Sequence, residues 1–314
     1  MLDVLIMGEL LVEIMRESVN QPLYEPHTFR GPFPSGAPAI CIDTAARLGC
    51  KTAIIGGVGE DDFGTCLLDR LNRDGVDTSY VLKSRERSTG VAFVTYFSDG
   101  SRKFIFHMGN TPAVEATVPK DLPSARYMHI MGCSLMANEQ FAQEILKLMR
   151  FLTSRGTTLS FDPNIRRELF DGDSVDSVVR EVMNHTSIFL PGVEELLMIT
   201  GTSAIEDGIR KCFSFPKMEL VLLKNGSHGS TLYHKDGTIE TVGVCSVKEV
   251  DATGAGDCYD GAFLAGLCQG KTPYEAAKMG ATAGALNVTA LGPMEGCINP
   301  STLQKMLEDF FETF

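Results

Sequence analysis

Six short apolar runs punctuate the chain, at residues 4–7, 52–56, 126–131, 157–161, 187–190 and 219–223. Each is too short for a buried helix and is mostly apolar or small, with little alternation of polar and apolar positions. That pattern predicts parallel strands covered on both faces. Between most of them lie segments with apolar residues every third or fourth position. In 138–153, Phe141, Ile145, Leu148, Met149 and Leu152 follow helical spacing. Alternating strands and helices predict an α/β fold: a central, mostly parallel sheet with helices on both faces.

Two regions break the rhythm, roughly 10–34 and 88–109. The second holds Gly90–Phe97, a Ser98-Asp99-Gly100 turn and Lys103–His107, which predicts a β-hairpin. Both regions are expected to form a small β-lid over one end of the sheet, within one domain spanning 1–314. No internal repeat, low-complexity stretch or linker interrupts it.

Composition narrows the function classes. The 314 residues carry 28 Lys and Arg against 40 Asp and Glu, a net charge of −12. Nucleic acid and anionic membranes reward positive charge, so neither is expected as a partner. A small anionic ligand needs only a local positive potential and stays open. The nine cysteines form no C-x-x-C, and the six histidines show no ligand spacing. Zinc sites are therefore unsupported, and a reduced, cytoplasmic protein is expected. Asp3 and the lack of a basic leading stretch speak against a secretory signal. No uncharged apolar run approaches the roughly 20 residues of a membrane span.

The strongest chemical signal is Val250-Asp251-Ala252-Thr253-Gly254-Ala255-Gly256-Asp257, followed by a helical run to Cys268. Glycines at a helix start let the backbone turn tightly and present N–H groups, to which the helix dipole adds positive potential. Such an anion hole suits the charge of a phosphoryl group in transfer. Asp257, in the first turn, could take a proton from a hydroxyl. Read alone, an Asp cap after a glycine loop explains the residues equally well.

Three further segments stand at predicted strand ends or helix starts. Ser35-Gly36-Ala37-Pro38-Ala39 opens a helix, with a plain tight turn as the alternative. Phe161-Asp162-Pro163-Asn164-Ile165-Arg166 ends a strand where α/β folds place ligand groups. Lys224-Asn225-Gly226-Ser227-His228-Gly229 forms a glycine-rich turn that a simple hairpin also explains. The run Ala265–Thr272 approaches the Walker A spacing, but it starts on Ala265 and closes a helix.

In order along the chain, these segments resemble the ribokinase-like (PfkB) carbohydrate kinases, closest in motifs to fructokinase-like and 2-keto-3-deoxygluconate kinase-like members. The likeness covers essentially the whole chain. It includes Gly8-Glu9, Gly36-Ala37-Pro38-Ala39, Gly59-Glu60-Asp61-Asp62-Phe63-Gly64, Phe161–Asn164, the Gly226/Gly229 turn and the 251–257 signature. It implies the ribokinase-like three-layer fold with a β-lid, and transfer of the ATP γ-phosphoryl to a primary hydroxyl of a small sugar. Asp257 would be the general base, with Gly254, Ala255 and Gly256 as the anion hole. Lys224, Gly226, Gly229, Asn164 and Asn287 would contact the nucleotide. Glu13, Ser35, Gly36, Ala37, His107 and Arg166 would face the sugar. Glu195 would serve Mg²⁺, and Asp251 and Thr253 a monovalent cation such as K⁺. The partners implied are a sugar, ATP and a second copy of the chain joined through the lid; the apolar strip Phe93, Tyr96 and Phe97 is compatible with that, and a lid closing on its own sheet explains it equally well.

The sequence departs from the family pattern at several points. Ile40 replaces an Asn that binds sugar, Glu13 stands for an Asp, and Ser35-Gly36 for Gly-Gly. Gly192 replaces the Asn of Asn-x-x-Glu while Glu195 remains. Members acting on 2-keto-3-deoxygluconate carry a Tyr and an Arg on the returning lid strand to hold a carboxylate. Here that strand reads Lys103–Asn110 without an Arg, and His107 is a poor carboxylate clamp at neutral pH. A neutral ketohexose of the fructose or tagatose type is therefore expected. The alternatives are 2-keto-3-deoxygluconate and a non-catalytic sugar sensor on the same scaffold.

Overall fold

The computed structural model describes residues 1–99, 101–165 and 172–311, with 172–176 as backbone only. A ten-stranded sheet runs through the molecule. Its order is β14 (Ile239–Val242), β13 (Ser230–His234), β12 (Leu220–Lys224), β11 (Thr186–Phe189), β10 (Thr158–Asp162), β9 (Ala125–Met131), β1 (Leu2–Met7), β4 (Thr52–Gly59) and β5 (Val76–Asp77). A further short strand, β6 (Val81–Ser84), pairs with β4. Pairing is parallel from β12 to β5, while β13 and β14 close one edge antiparallel. All six predicted strands are present in this sheet.

The helices are α1 (Ala37–Arg47), α2 (Asp62–Arg73), α3 (Gly132–Ala137), α4 (Glu139–Thr153), α5 (Gly172–His185), α6 (Val193–Thr200), α7 (Ile205–Cys212), α8 (Ala255–Cys268), α9 (Pro273–Asn287) and α10 (Pro300–Phe311). They cover both faces of the sheet, and the strand alternation says how. Leu5 and Met7 of β1 pack with Phe141, Ile145 and Leu148 of α4 on one face. Val4 and Ile6 pack with α1, α8 and α9 on the other. Both faces are sealed, which is why β1 is apolar at successive positions. Each large side chain buried this way contributes roughly 2 kcal/mol. Local signals set the helix ends. Asn138 accepts the Phe141 amide at 3.0 Å to start α4, and Thr272 and Glu275 form a reciprocal cap before α9.

The second sheet has four strands in the order β3 (Phe29–Ser35), β2 (Leu11–Arg16), β7 (Gly90–Tyr96) and β8 (Arg102–His107). These are the two regions that broke the rhythm. β7 and β8 form the predicted antiparallel hairpin, whereas β2 and β7 pair in parallel, joining the two insertions. Among the described residues no helix is long and apolar enough to cross a membrane.

His129 lies fully buried in β9, and its Nδ1 is 2.7 Å from Ser160 Oγ on the neighbouring strand. Burial pushes its pKa down from 6.5 to about 4. An unfolded imidazole takes up a proton below about 6.5, and the folded one does not until about 4. Stability therefore falls as pH drops through that window. Chemical denaturation at pH 6.5 and 4.5 should show a larger loss for the wild type than for the non-titrating His129→Gln variant. An equal loss would mean that His129 does not set this dependence.

Candidate active site

The carboxyl ends of the parallel strands open beneath the second sheet, and a cleft of about 240 Å³ lies there. Its body-side wall carries Glu9 after β1, Asp162 at the end of β10 and Asn164 beyond it, Lys224 at the end of β12, and the start of α8. The lid supplies Leu11 and Glu13 from β2, Ser35 from β3, Ala92 from β7, and Arg102, Phe104 and Phe106 from β8.

The start of α8 depends on Gly254, which has φ +78°. A Cβ there would also stand 2.5 Å from the Pro293 carbonyl oxygen. Only glycine turns the chain at this point and lets the next amides point into the cleft. Those first amides lack acceptors within the helix, so they and the dipole make a positive pole. Asp257 follows in the first turn and is 5% exposed. Its Oδ1 accepts the Asn164 amide at 2.8 Å. Asn164 is itself set by a left-handed φ of +39° and by its backbone N–H, which donates to Asp162 Oδ1 at 3.0 Å.

Lys224 does not reach out as a nucleotide-loop cation. Its Nζ donates to Asp162 Oδ2 at 3.0 Å and to both oxygens of Asp260 at 3.1 and 3.0 Å. Burial works against the ammonium, but the two carboxylates outweigh it and hold its pKa up. Burial likewise opposes the charge of Asp162, and Lys224 holds that carboxyl below the usual range. Asp260 is driven well above it by burial, with the Asp162 charge adding to the shift. Lys224 still lines the cleft at its base.

A second cavity, about 530 Å³ and largely apolar, lies beyond α8. Gly226 and Gly229 line it together with Val244, Cys245, Val247, Ala281 and Val288. Lys224, Ala252, Ala255 and Gly256 line both cavities, so the two meet at the start of α8.

Of the other expected site residues, Glu13, Ser35, Gly36 and Ala37 stand in the cleft, where Ser35 Oγ donates to Glu13 Oε2 at 2.9 Å. Ile40 fills part of the same wall. Glu195 lines the cleft, but its two oxygens accept the amides of Ile165 and Gly192, each at 2.8 Å. Burial, then the charge of Asp162, pushes its carboxyl up. Asp251 accepts the Thr253 amide on Oδ1 and the Gly292 amide on Oδ2, both at 2.9 Å. Among the described residues no three acidic, His or Cys side chains cluster as a metal site.

Three expectations are corrected or fall outside the structure. His107 is exposed on the outer face of β8 and packs edge-on to Phe93 at 6.0 Å, because strand alternation turns Phe104 and Phe106 inward instead. Asn287 does not line the second cavity. It is fully buried, and its amide donates to the Thr253 carbonyl at 2.8 Å. Arg166 lies outside the described residues. The strip Phe93, Tyr96 and Phe97 also splits, since Tyr96 turns inward to Asp251 and Thr253.

The returning lid strand was expected to lack an Arg, but β8 begins at Arg102, which lines the cleft, so that argument against a carboxylate substrate does not hold. Sequence reasoning put Tyr96 in an outer strip and missed the aromatic pair Phe104 and Phe106, whose rings stack at 5.4 Å. It missed Asp260 too, although its place three residues after Asp257 puts both on one helix face.

Comparison with known proteins places the chain among carbohydrate kinases. The pattern of the pfkB family carbohydrate kinases matches residues 1–301. The chain is 31% identical over 274 residues to Fructokinase-2 of Solanum lycopersicum, covering 85% of this chain and 82% of that protein. It is 29% identical over 315 residues to Fructokinase-1 of Oryza sativa subsp. japonica, covering 96% of each. An E. coli protein provisionally named Ribokinase II, solved with ATP and Mg²⁺, superposes with a TM-score of 0.91 at 35% identity, over 98% of this chain and 100% of that one. The Vibrio cholerae fructokinase, solved with fructose, ADP and calcium, gives 0.83 at 25% identity, over 98% and 99%. By family pattern, relatives and fold alike, the chain belongs to the pfkB family of carbohydrate kinases.

Proposed function

We propose that the protein is an ATP-dependent sugar kinase that transfers the γ-phosphoryl group to a primary hydroxyl of a neutral ketohexose of the fructose type. The observation that carries this reading is the meeting of two cavities at the start of α8, beside a carboxylate held by Asn164. The polar cleft suits a polyol: Glu13 and Ser35 stand ready for its hydroxyls, and Phe104 and Phe106 cover its apolar face. The largely apolar second cavity suits a purine base, with Gly226 and Gly229 at its rim. The relatives named fructokinase point to the same acceptor.

In this reading Asp257 accepts the proton of the attacking hydroxyl as the oxygen bonds to phosphorus. The amides of Gly254, Ala255 and Gly256 take the charge that develops on the transferred group, without reorganising during the step. Mg²⁺, when bound with the nucleotide, supplies further neutralisation of the phosphates. The donors fit an ion that keeps much of its water, since Glu195 already spends both oxygens on backbone amides. The reading includes a monovalent cation such as K⁺ beside the 251–253 loop. It also treats the chain as one catalytic unit in a reduced cytoplasm, which suits the nine free cysteines.

An ADP-release assay over fructose, tagatose, ribose and 2-keto-3-deoxygluconate tests the reading, with the largest kcat/KM expected for a ketohexose. Sugar binding without ADP release would instead favour a sensor. Asp257→Asn should lower kcat by about 10²–10⁴-fold and leave fructose binding nearly unchanged; undiminished turnover would remove Asp257 from the mechanism.

The two glycines should behave differently. Gly254→Ala should destabilise the fold as well as the activity, because of its φ and the Pro293 carbonyl. At Gly256 a Cβ would meet nothing closer than Lys224 Nζ at 4.0 Å. Gly256→Ala should therefore keep the melting temperature while losing turnover as the methyl enters the anion hole.

A homodimer through the outer lid face, where Phe29 packs against Phe93 at 5.7 Å beside exposed Ile105, should appear in sedimentation velocity at micromolar concentration. A monomer there would end that part of the reading.

A further inference from the structure

A lid side chain that no motif signalled reaches the phosphate end of the site. Tyr96, the last residue of β7, places its hydroxyl 2.5 Å from Thr253 Oγ1 and 3.1 Å from Asp251 Oδ1. Tyr96 lines neither cavity. The loop it touches runs straight into Gly254 and the amides of the anion hole. That loop is held from two other sides, both in the body of the protein. Asn287 of α9 donates to the Thr253 carbonyl, and the Gly292 amide donates to Asp251 Oδ2. The third hold comes from the lid.

The same lid strand stands against the sugar end. Ala92 of β7 lines the cleft and pairs in register with Glu13 of β2. Four residues further along β7, the Tyr96 hydroxyl meets the 251–253 loop. One rigid, hydrogen-bonded strand pair thus touches the sugar pocket at one point and the entrance of the anion hole at another.

We propose that Tyr96 is a positioning residue that couples sugar occupancy under the lid to the geometry of the anion hole. It rests on the kinase reading above. A sugar seated against β2 and β7 fixes the strand pair. Through the Tyr96 hydroxyl the strand pair fixes Asp251 and Thr253, and so the turn at Gly254. Sugar and nucleotide must then tighten each other's binding by the same factor, because linkage is reciprocal. The differential contact that this requires is the Tyr96 bond.

Tyr96→Phe removes the hydroxyl and keeps the ring. The test is calorimetric titration of the full chain with Mg²⁺ and a non-hydrolysable ATP analogue, with and without saturating fructose. The wild type should bind the analogue at least about fivefold more tightly in fructose. Y96F should bind the analogue alone within about twofold of the wild type and lose that tightening. Its kcat should fall about tenfold, with KM for fructose within about twofold. Thr253→Val removes the partner hydroxyl from the other side of the bond, so the Y96F/T253V pair should lose no more coupling than either change alone.

Equal coupling in Y96F and wild type would overturn the proposal, as would no coupling in a wild type that turns over. A lower melting temperature in Y96F with coupling intact would assign the bond to stability alone and also overturn it. Failure of the kinase reading itself shows separately, as a wild type that releases no ADP with any sugar tested, and it would take this proposal with it.

Discussion

The ammonium of Lys224 is the tie on which the site's geometry depends. It comes from β12, and it binds Asp162 at the end of β10 and Asp260 on α8. One buried cation thus fixes the distance between two strands of the sheet and the helix that carries the anion hole. Taking an ammonium and two carboxyl groups out of water is costly, and such clusters add less to stability than their Coulomb energy suggests. Their value lies in geometry: Lys224 is the cation between the two acids, and without it Asp162 and Asp260 would face each other with no counter-charge between them. Asp260 is one turn after Asp257, and Asn164 is two residues after Asp162. The cluster therefore brings Asn164 to 2.8 Å from Asp257.

In the proposed function the start of α8 would meet phosphate, in a chain of net charge −12, through groups that carry no formal charge. Lys224 is committed to carboxylates, and the positive pole comes from backbone amides that carry no formal charge. The acidic residues are equally committed. Glu195 caps the start of α6 and holds Ile165, Asp251 ties its own loop to Gly292, and Glu13 accepts a hydrogen bond from the Ser35 hydroxyl. Glu195 and Asp251 fix backbone in the walls around the start of α8, and Glu13 fixes a side chain of the lid. That is how the site stays preorganised where strands, helices and lid meet.

Much of the fold was legible because its signals are local. The six apolar runs mark buried strands, since a strand covered on both faces must be apolar at successive positions. Phe141 to Leu152 mark α4 by their spacing. Gly254 to Asp257 are adjacent in sequence, so the helix start and its carboxylate could be read together. The lid hairpin was equally visible, but its facing was not. β8 reads Arg-Lys-Phe-Ile-Phe-His and has apolar residues on both faces, so period two alone does not say which face meets the cleft. The family resemblance put His107 at the sugar, and the strand's own pattern offered nothing to correct it or to single out Phe104 and Phe106. Asn287 erred for a related reason: an amide in a late helix can face a ligand or hold a loop, and only its neighbours decide.

The sequence by itself therefore determined the strands, the helices and the glycine-led start of α8, because each follows from the periodicity or backbone freedom of a few consecutive residues. Tertiary structure alone decided the partnerships across long separations: Asn164 with Asp257, Lys224 with Asp162 and Asp260, Tyr96 with Asp251 and Thr253. A hydrogen bond is specified by where two atoms come to rest. For residues some 90 or 150 positions apart that is set by sheet order and helix packing, to which no local pattern has access.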